Sequence, residues 1–250
     1  MLITYAIGDI HGRSDLLDAL LEAIRVDASK RGARTRIVFL GDVIDRGPHS
    51  RQAMERVLET IETHPGSALV LGNHEEFLLR FLDDGVHRET VARHWFANGG
   101  IATIASYGFS ERDGIDAIAK GLCTGFPTHI AALRAADWSI ETDSHVFVHG
   151  GIDPALPLDR QDPVTTRWIR HEFLEFQGPL EKIVVHGHTP TDSFLPEVHG
   201  NRIAVDTGAF GSGHLTCAVL ASDAPPRFLA TDDSGRRIAT GEVRPLDFRK

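Results

Sequence analysis

The chain has 250 residues, of which 42% are hydrophobic and 24% charged, as in an ordinary globular protein rather than a disordered or fibrous one. Its 35 Asp and Glu outnumber 26 Lys and Arg, and the formal charge of -9 argues against nucleic-acid or acidic-membrane partners. The two cysteines stand in unrelated contexts, and no apolar run approaches the roughly 20 residues of a membrane span, so a cytoplasmic protein is predicted.

Three short apolar stretches in the first third of the chain are predicted β-strands, and each is followed by a helical pattern of apolar residues. The stretches are residues 3–7, 37–40 and 68–71. Repeated strand–helix alternation predicts parallel strands joined by right-handed crossovers. Each stretch leads into Gly-Asp or Gly-Asn, so we expect polar side chains at the strand ends, where open α/β sheets build their sites.

Strand signals fade between about residues 83 and 138, where the pattern predicts a helical insertion beside the site. Short apolar stretches resume afterwards without long helices between them, which predicts an antiparallel second half. These stretches are residues 138–140, 146–148, 183–185, 203–205, 215–220 and 227–231. The expected fold is α/β with four layers, in which two mixed β-sheets pack as a sandwich flanked by helices, within a single domain over residues 1–250.

Oxygen and imidazole donors recur at the ends of these strands. They are Asp9, His11, Asp42, Asn73, His149 and His188. A single Asp-x-His is more often a turn than a ligand pair, but its repetition after several apolar strands indicates a metal site. Carboxylate oxygens mixed with imidazoles suit manganese, iron or zinc. A two-metal site can clamp both oxygens of an in-line displacement at phosphorus, so the pattern predicts phosphoester hydrolysis.

Five motifs follow one another along the chain: GDIHG, GDVIDRG, GNHE, HGG and GHT, which begin at residues 8, 41, 72, 149 and 187. Together they resemble the ordered motifs of the calcineurin-like metallophosphoesterases, and the resemblance extends from about residue 3 to residue 220. The Asp-Arg-Gly and Asn-His-Glu sequences resemble the phosphoprotein phosphatase branch, and in particular small bacterial and phage serine/threonine protein phosphatases.

The resemblance implies a metal role for each strand-end donor. Asp9 and His11 would bind a first ion, Asp42 would bridge, and Asn73, His149 and His188 would bind a second. The implied cofactor is a pair of divalent transition-metal ions, with manganese as the first expectation and iron or zinc as alternatives. His188 is the chosen ligand of the last motif because it follows the glycine, whereas His186 is expected to have no metal role.

The resemblance also implies roles for side chains that act on the phosphoryl group. His74 would protonate the leaving oxygen, and Asp45 would accept a hydrogen bond from the other imidazole nitrogen. Arg46 would bind phosphoryl oxygens in bidentate fashion. Arg170 is preferred to Arg167 as the second arginine because it fits the family's Trp-x-Arg element. The predicted phosphate-binding side chains are Arg46, Arg170, Asn73 and His74.

The implied function is a metal-dependent phosphomonoester hydrolase that uses one-step in-line attack by metal-bound hydroxide. The first expectation is a serine/threonine protein phosphatase, with phosphorylated proteins or peptides as partners and phosphotyrosine and aryl phosphates as side substrates. The alternative is a hydrolase of dinucleoside polyphosphates such as diadenosine tetraphosphate. Its symmetrically cleaving members replace the first motif's histidine and the aspartate of Asp-Arg-Gly, whereas His11 and Asp45 are intact here. A third hypothesis is a non-catalytic scaffold of the same fold.

The sequence leaves the physiological substrate, the native metal pair and the oligomeric state open. Asp206, in Asp-Thr-Gly, is predicted to shape a turn. Asn98, before two glycines, either borders the substrate groove or belongs to a plain loop. The tryptophans Trp95, Trp138 and Trp168 are predicted core residues.

Overall fold

The strands form two six-stranded sheets packed face to face in the computed structural model, which describes residues 2–249. The strands are β1 (Leu2–Ile7), β2 (Arg34–Phe39), β3 (Ala68–Leu69), β4 (Ile140–Glu141), β5 (His145–Phe147), β6 (Ile183–His186), β7 (Glu197–Val198), β8 (Arg202–Ala204), β9 (Thr216–Ala221), β10 (Arg227–Asp233), β11 (Ile238–Val243) and β12 (Leu246–Asp247). The first sheet has the order β11-β10-β9-β1-β2-β3, and the second has the order β12-β7-β8-β6-β5-β4.

Helices cover the outer faces of the sandwich and dominate the middle of the chain. They are α1 (Ser14–Arg31), α2 (Ser50–Thr63), α3 (Asn73–Asp83), α4 (Arg88–Trp95), α5 (Ile101–Ser106), α6 (Ile115–Gly125), α7 (Pro127–Ala135), α8 (Thr165–Trp168), α9 (His171–Leu174) and α10 (Ala209–Ser212). A π-helical segment, Phe96–Gly100, joins α4 to α5. Buried apolar side chains of α4 to α7 belong to the same core cluster as those of α1 to α3. The predicted class, two mixed sheets flanked by helices, is confirmed.

Strand direction agrees with the sequence prediction in the first half and departs from it in the second. β1, β2 and β3 are parallel, as the strand–helix alternation predicts. β9, β10 and β11 are antiparallel, again as expected. The prediction is wrong for β5, β6 and β8, which run parallel to one another. The segments between these strands are long enough to cross over the sheet, although they contain only short helices and loops.

The alternation of side chains along β1 shows how the layers are held together. Tyr5 and Ile7 face the core beneath the helices, whereas Ala6 lies between the two sheets with Val185 of β6. A third, smaller cluster around Phe173 packs on the outer face of the second sheet. Within residues 2–249, no helix has the length and apolar character needed to cross a membrane.

The edge strands β11 and β12 were not predicted from the sequence. Most of their side chains are exposed, so their sequences lack the apolar alternation that marks a half-buried strand. The candidate site lies where the two sheets meet. β1, β2 and β3 deliver three of the motifs from the first sheet, and β5 and β6 deliver the other two from the second.

Candidate active site

Several site residues adopt the left-handed backbone conformation, which L-residues rarely adopt. They are His11 (φ 46°), Asp42 (φ 48°), Asp45 (φ 73°), Arg46 (φ 68°) and His188 (φ 66°). These residues lie in the loops that follow β1, β2 and β6. Clustered left-handed residues of this kind are characteristic of functional sites, where the surrounding fold enforces them.

Two motif glycines allow the loops to approach closely enough to form the site. A Cβ atom at Gly72 would collide with the carboxylate of Asp42. A Cβ atom at Gly187 would collide with the carboxylate of Asp9. The glycines of GNHE and GHT therefore leave room for the predicted ligands of the neighbouring loops.

Glu75 holds the loop of the second motif in place. Its buried carboxylate accepts backbone N–H groups from Asp42 (2.8 Å), Val43 (2.8 Å), Ile44 (3.2 Å) and Gly72 (3.0 Å). Burial and the nearby Asp42 charge raise the pKa of Glu75 to about 7, against the effect of these N–H donors. The sequence analysis assigned no role to Glu75. Its position in the first turn of α3 was the available signal, since carboxylates there bind free backbone N–H groups.

His11, Asp42 and His74 form one group of potential metal ligands, whose donor atoms lie within 4.8 Å of one another. The Nδ1 atom of His11 lies 2.9 Å from the carbonyl oxygen of Ile44, so Nδ1 carries the proton and Nε2 carries the lone pair that could coordinate a metal. Burial lowers the pKa of His11 to about 3, which keeps the ring neutral as a metal ligand must be.

A second group of donors consists of Asp42, His149 and His188. The Nδ1 of His149 donates to the carbonyl oxygen of Leu40 (2.7 Å), so the Nε2 lone pair faces outward. It faces the side-chain oxygens of Asn73 (2.9 Å) and Asp42 (3.3 Å). A cation could bind between these atoms, and mixed oxygen and imidazole donors fit a divalent transition metal. Burial alone would lower the pKa of His149, but the Asp42 charge outweighs it and raises the pKa.

Asp9 lies outside these two groups but next to them. Both of its carboxylate oxygens accept the backbone N–H of His188 at 3.1 Å. Burial, followed by the charges of Asp206 and Asp42, raises the pKa of Asp9 well above its usual value. A cation would relieve the repulsion among these three carboxylates. Asp206 also accepts the N–H of Gly208 (2.9 Å), as a turn-forming aspartate does.

His74 and Asp45 form a buried hydrogen-bonded pair. The distance between His74 Nδ1 and Asp45 Oδ2 is 2.6 Å, which leaves the Nε2 of His74 for the substrate. Burial would lower the pKa of His74, but the Asp42 charge and the Asp45 hydrogen bond outweigh it and raise the pKa. The arrangement can hold a proton at Nε2, as a general acid must.

Trp95 and Thr103, which the sequence analysis did not place in the site, fix the carboxylate of Asp45. The indole N–H of Trp95 lies 3.0 and 2.9 Å from its two oxygens. Thr103 donates its hydroxyl to Oδ1 (2.6 Å) and accepts the backbone N–H of Asp45 (2.9 Å). Trp95 is buried, as predicted, but it also has this polar role. No local signal marks it, because these contacts join residues about 50 positions apart.

The two predicted arginines lie on opposite sides of the donor groups. Arg46 Nη1 is 2.8 Å from His11 Nε2, and Arg170 Nε is 3.0 Å from His188 Nε2. Both line a cavity of about 600 Å³ above the ligands. Arg167 instead forms an ion pair with Glu76 (2.7 Å), so the geometry favours Arg170 as the phosphate-binding arginine.

Other predicted features fall around this cavity. Asn98 lines it, which agrees with the groove interpretation. His186 lies outside both donor groups, buried against Phe173, and burial lowers its pKa to about 3. The core prediction is wrong for Trp168, whose side chain is 38% exposed beside the site, whereas Trp138 is half-buried. A separate cavity of about 540 Å³ lies between α1 and α2 and contains none of the predicted site residues.

Residues 4–213 match the family model of the calcineurin-like phosphoesterases. The asymmetrical bis(5'-nucleosyl)-tetraphosphatase PrpE of Bacillus mycoides is 29% identical over an alignment of 231 residues, which covers 84% of this chain and 87% of that protein. The symmetrical bis(5'-nucleosyl)-tetraphosphatase of Methylococcus capsulatus is 33% identical over 198 residues, which is 79% of this chain and 55% of that protein.

Two solved structures share the fold at low sequence identity. A candidate diadenosine tetraphosphatase is 20% identical with a TM-score of 0.57, covering 97% of this chain and 94% of that chain. The cold-active protein-tyrosine phosphatase of the psychrophile Shewanella sp. is 18% identical with a TM-score of 0.54, covering 97% and 81%. At these identities the likeness concerns the fold alone.

Proposed function

Since the chain belongs to the calcineurin-like phosphoesterase family, we propose that it is a metal-dependent hydrolase that cleaves bis(5'-nucleosyl) tetraphosphates asymmetrically. The observation that carries this proposal is the extent of the similarity to named relatives. The asymmetrical relative aligns over 87% of its own length, and the symmetrical one over 55%. From the sequence, a serine/threonine protein phosphatase is the first expectation and this activity the second, and the relatives favour the second.

The family typically binds divalent metals, and the donor set described above fits two such ions, with manganese as our proposal. When bound, the ions supply Lewis-acid polarisation of the phosphoryl group and neutralise part of its charge. In the proposed assignment Asp42 belongs to both ligand sets, as it does to both donor groups. Glu75 holds the backbone of Asp42 so that its two oxygens face the two groups.

The remaining steps belong to side chains of the chain itself. Arg46 and Arg170 bind the phosphoryl oxygens from opposite sides and stabilise charge that grows during transfer. His74 donates the proton on Nε2 to the departing oxygen, while Asp45 accepts from Nδ1 and keeps the ring in place. In asymmetrical cleavage that oxygen belongs to the departing nucleoside triphosphate, and the other product is a nucleoside monophosphate.

Phosphoprotein hydrolysis is the second candidate, and the His74–Asp45 pair is the observation that favours it. A serine or threonine alkoxide is a poor leaving group, so a buried, oriented general acid helps its departure most. Phosphate groups of nucleotides leave more easily and need the acid less. The pair therefore suits an enzyme that also hydrolyses phosphomonoesters.

A substrate panel tests the proposal. The purified protein, loaded with Mn²⁺, is assayed on diadenosine tetraphosphate, phosphoserine and phosphotyrosine peptides and p-nitrophenyl phosphate, and the nucleotide products are separated by ion-exchange chromatography. We expect the highest kcat/KM on diadenosine tetraphosphate, with ATP and AMP as products. Two molecules of ADP would contradict the asymmetrical mode, and a higher kcat/KM on phosphoserine peptide would restore the protein phosphatase. If the protein binds no metal and hydrolyses none of these compounds, the result would indicate a non-catalytic scaffold.

A further inference from the structure

Arg170 stands between two cavities, only one of which contains the candidate chemistry. The cavity of about 600 Å³ contains Arg46 and His188 together with Arg170. On the other side of Arg170 lies a cavity of about 590 Å³ that includes Trp168 but no predicted metal ligand or general acid. A group bound in this second cavity would adjoin the same guanidinium that is proposed to bind phosphate.

Trp168 is exposed and yet fixed in position. Its indole N–H donates to the Oε2 of Glu76 (3.0 Å), and Glu76 is itself paired with Arg167. The ring also makes edge contacts with Phe77 (5.3 Å between centroids) and His188 (6.4 Å). An aromatic ring that is held by a hydrogen bond and two rings loses little entropy when a ligand stacks on it. The side chain thus offers a preformed stacking surface at the rim of the site.

The lining of this cavity selects the chemistry of its ligand. Val164, which is 49% exposed, and Ile169 add apolar surface beside the indole. Asp153 and Glu172 bring carboxylates, which repel phosphate but accept hydrogen bonds from hydroxyl and amino groups. A flat, uncharged group that carries such donors and is attached to phosphate satisfies all of these features, and a nucleoside is such a group.

We propose that the cavity beside Trp168 binds one nucleoside of the bis(5'-nucleosyl) polyphosphate substrate. The base stacks on the indole, the ribose hydroxyls and base amino groups face the carboxylates, and the phosphate chain passes Arg170 into the candidate active site. This inference rests on the proposed function and names the part of the substrate that the chain recognises outside the reacting phosphate.

The test compares Trp168→Leu with Trp168→Phe in the Mn²⁺-loaded full chain. Phe248→Leu is the matched control, because Phe248 is 50% exposed and stacks on His199 away from both cavities. The substrates are diadenosine tetraphosphate and p-nitrophenyl phosphate, which carries no nucleoside. Stacking of one base predicts a rise of about tenfold in KM for diadenosine tetraphosphate in Trp168→Leu. The change in KM for p-nitrophenyl phosphate should be much smaller than that for diadenosine tetraphosphate. Phe248→Leu should leave activity on both substrates unchanged, and Trp168→Phe should restore most of the lost affinity.

Two kinetic results would overturn the inference. An equal loss on both substrates would mean that Trp168 only supports the site, and an unchanged KM for diadenosine tetraphosphate would mean that the nucleoside binds elsewhere. An equal rise in KM for a phosphoserine peptide would also overturn it, because the cavity would then accept peptide side chains.

A binding measurement separates this inference from the proposed function. If the wild-type protein fails to hydrolyse diadenosine tetraphosphate, the proposed function fails, whereas the nucleoside subsite is still tested by titration with ADP. Quenching of tryptophan fluorescence in the wild type that is lost in Trp168→Leu supports the subsite. Absence of quenching in the wild type overturns it.

Discussion

Asp45 and Arg46 are neighbours in the chain, but they belong to regions of the site with opposite properties. Asp45 is fully buried, and its carboxylate is bonded by His74, Trp95 and Thr103. Arg46 is exposed and lies under Phe210, an aromatic side chain that is itself 45% exposed. We call the buried donors and their hydrogen-bond partners the floor, and the exposed set of Arg46, Arg170, Trp168 and Phe210 the rim.

The difference teaches that the chemistry and the choice of substrate are separable in this molecule. Floor residues have several partners each, so a change in one disturbs the reacting geometry for every substrate. Trp168 and Phe210 of the rim have no proposed contact with the reacting phosphoryl group, so a change in either should alter which molecules bind and leave the reaction itself intact. Arg46 and Arg170 are proposed to contact that group, so their variants should also lower kcat. Variants of the floor should therefore lower kcat, and variants of Trp168 or Phe210 should raise KM on some substrates.

The largest effect across all substrates is expected from Asp42→Asn in the floor. Asparagine tolerates the left-handed backbone, so the fold should survive while the charge that faces both donor groups is lost. Loss of metal-derived stabilisation worth several kcal/mol predicts a fall in kcat of about 10³-fold on every substrate. Metal content and kcat are measured together, with Asp143→Asn as control, because Asp143 is exposed and lies outside both donor groups. Full activity with two bound ions would refute the bridging assignment.

His74→Asn should lower kcat by a factor that depends on the leaving group of the substrate. Loss of a general acid predicts a fall in kcat of about 10²- to 10⁴-fold on a phosphoserine peptide. The fall should be smaller on p-nitrophenyl phosphate, whose leaving group needs little protonation. The ratio of the two kcat values is the measurement. The same factor on both substrates would show that His74 acts on the phosphoryl group and not on the leaving oxygen.

Asp45→Asn should lower kcat by about hundredfold and shift its pH dependence. The proton on His74 is required, so activity is lost as the pH rises through the pKa of His74. The bond from Asp45 helps to raise that pKa. Its removal should therefore move the alkaline limb of the kcat profile to lower pH. If the alkaline limb stays in place or moves to higher pH, the hydrogen bond to Asp45 does not raise the pKa of His74.

Trp95→Phe tests whether the helical region contributes to the floor. The variant keeps an aromatic ring in the core but removes the N–H that binds Asp45, while the Thr103 hydroxyl remains. We expect kcat on a phosphoserine peptide to fall by about tenfold with KM unchanged. Thermal unfolding followed by circular dichroism checks that the fold is intact. A change in KM alone would assign Trp95 to substrate binding.

The smallest effect is expected from Phe210→Leu in the rim. Its ring lies 5.0 Å from the Arg46 guanidinium, and an exposed cation–π contact is worth about 0.5 to 1 kcal/mol. This predicts a change in KM of about twofold to fivefold, with kcat unaffected. Steady-state kinetics on the substrate panel measure both quantities. A large fall in kcat would place Phe210 in the floor and break the distinction.

How much of the site could be predicted depends on how local each signal is. Asp42 and His149 follow their strands closely, so their position at strand ends could be predicted from an apolar stretch and a turn in the sequence. Trp95 and Thr103 contact Asp45 through tertiary packing that no short pattern encodes. Trp168 was predicted to lie in the core because tryptophan side chains are usually buried. Its exposure depends on tertiary packing, which the sequence pattern does not reveal.

The same distinction applies to the fold. The strand–helix rhythm of the first half correctly predicted parallel β1, β2 and β3, because each crossover helix is marked by its own apolar spacing. The direction of β5, β6 and β8 was missed because their crossovers contain only short helices and loops, which resemble the connections of an antiparallel sheet.

The left-handed backbone of the floor and rim loops has a consequence for selection and engineering. A non-glycine residue in this conformation costs roughly 1 to 2 kcal/mol, which glycine avoids. Glycine at the exposed position 46 would thus stabilise the loop while removing the guanidinium that is proposed to bind phosphate. A screen for heat resistance alone would enrich such changes first and yield robust proteins without activity. Any stabilised version of this chain should therefore be selected with activity as a second criterion.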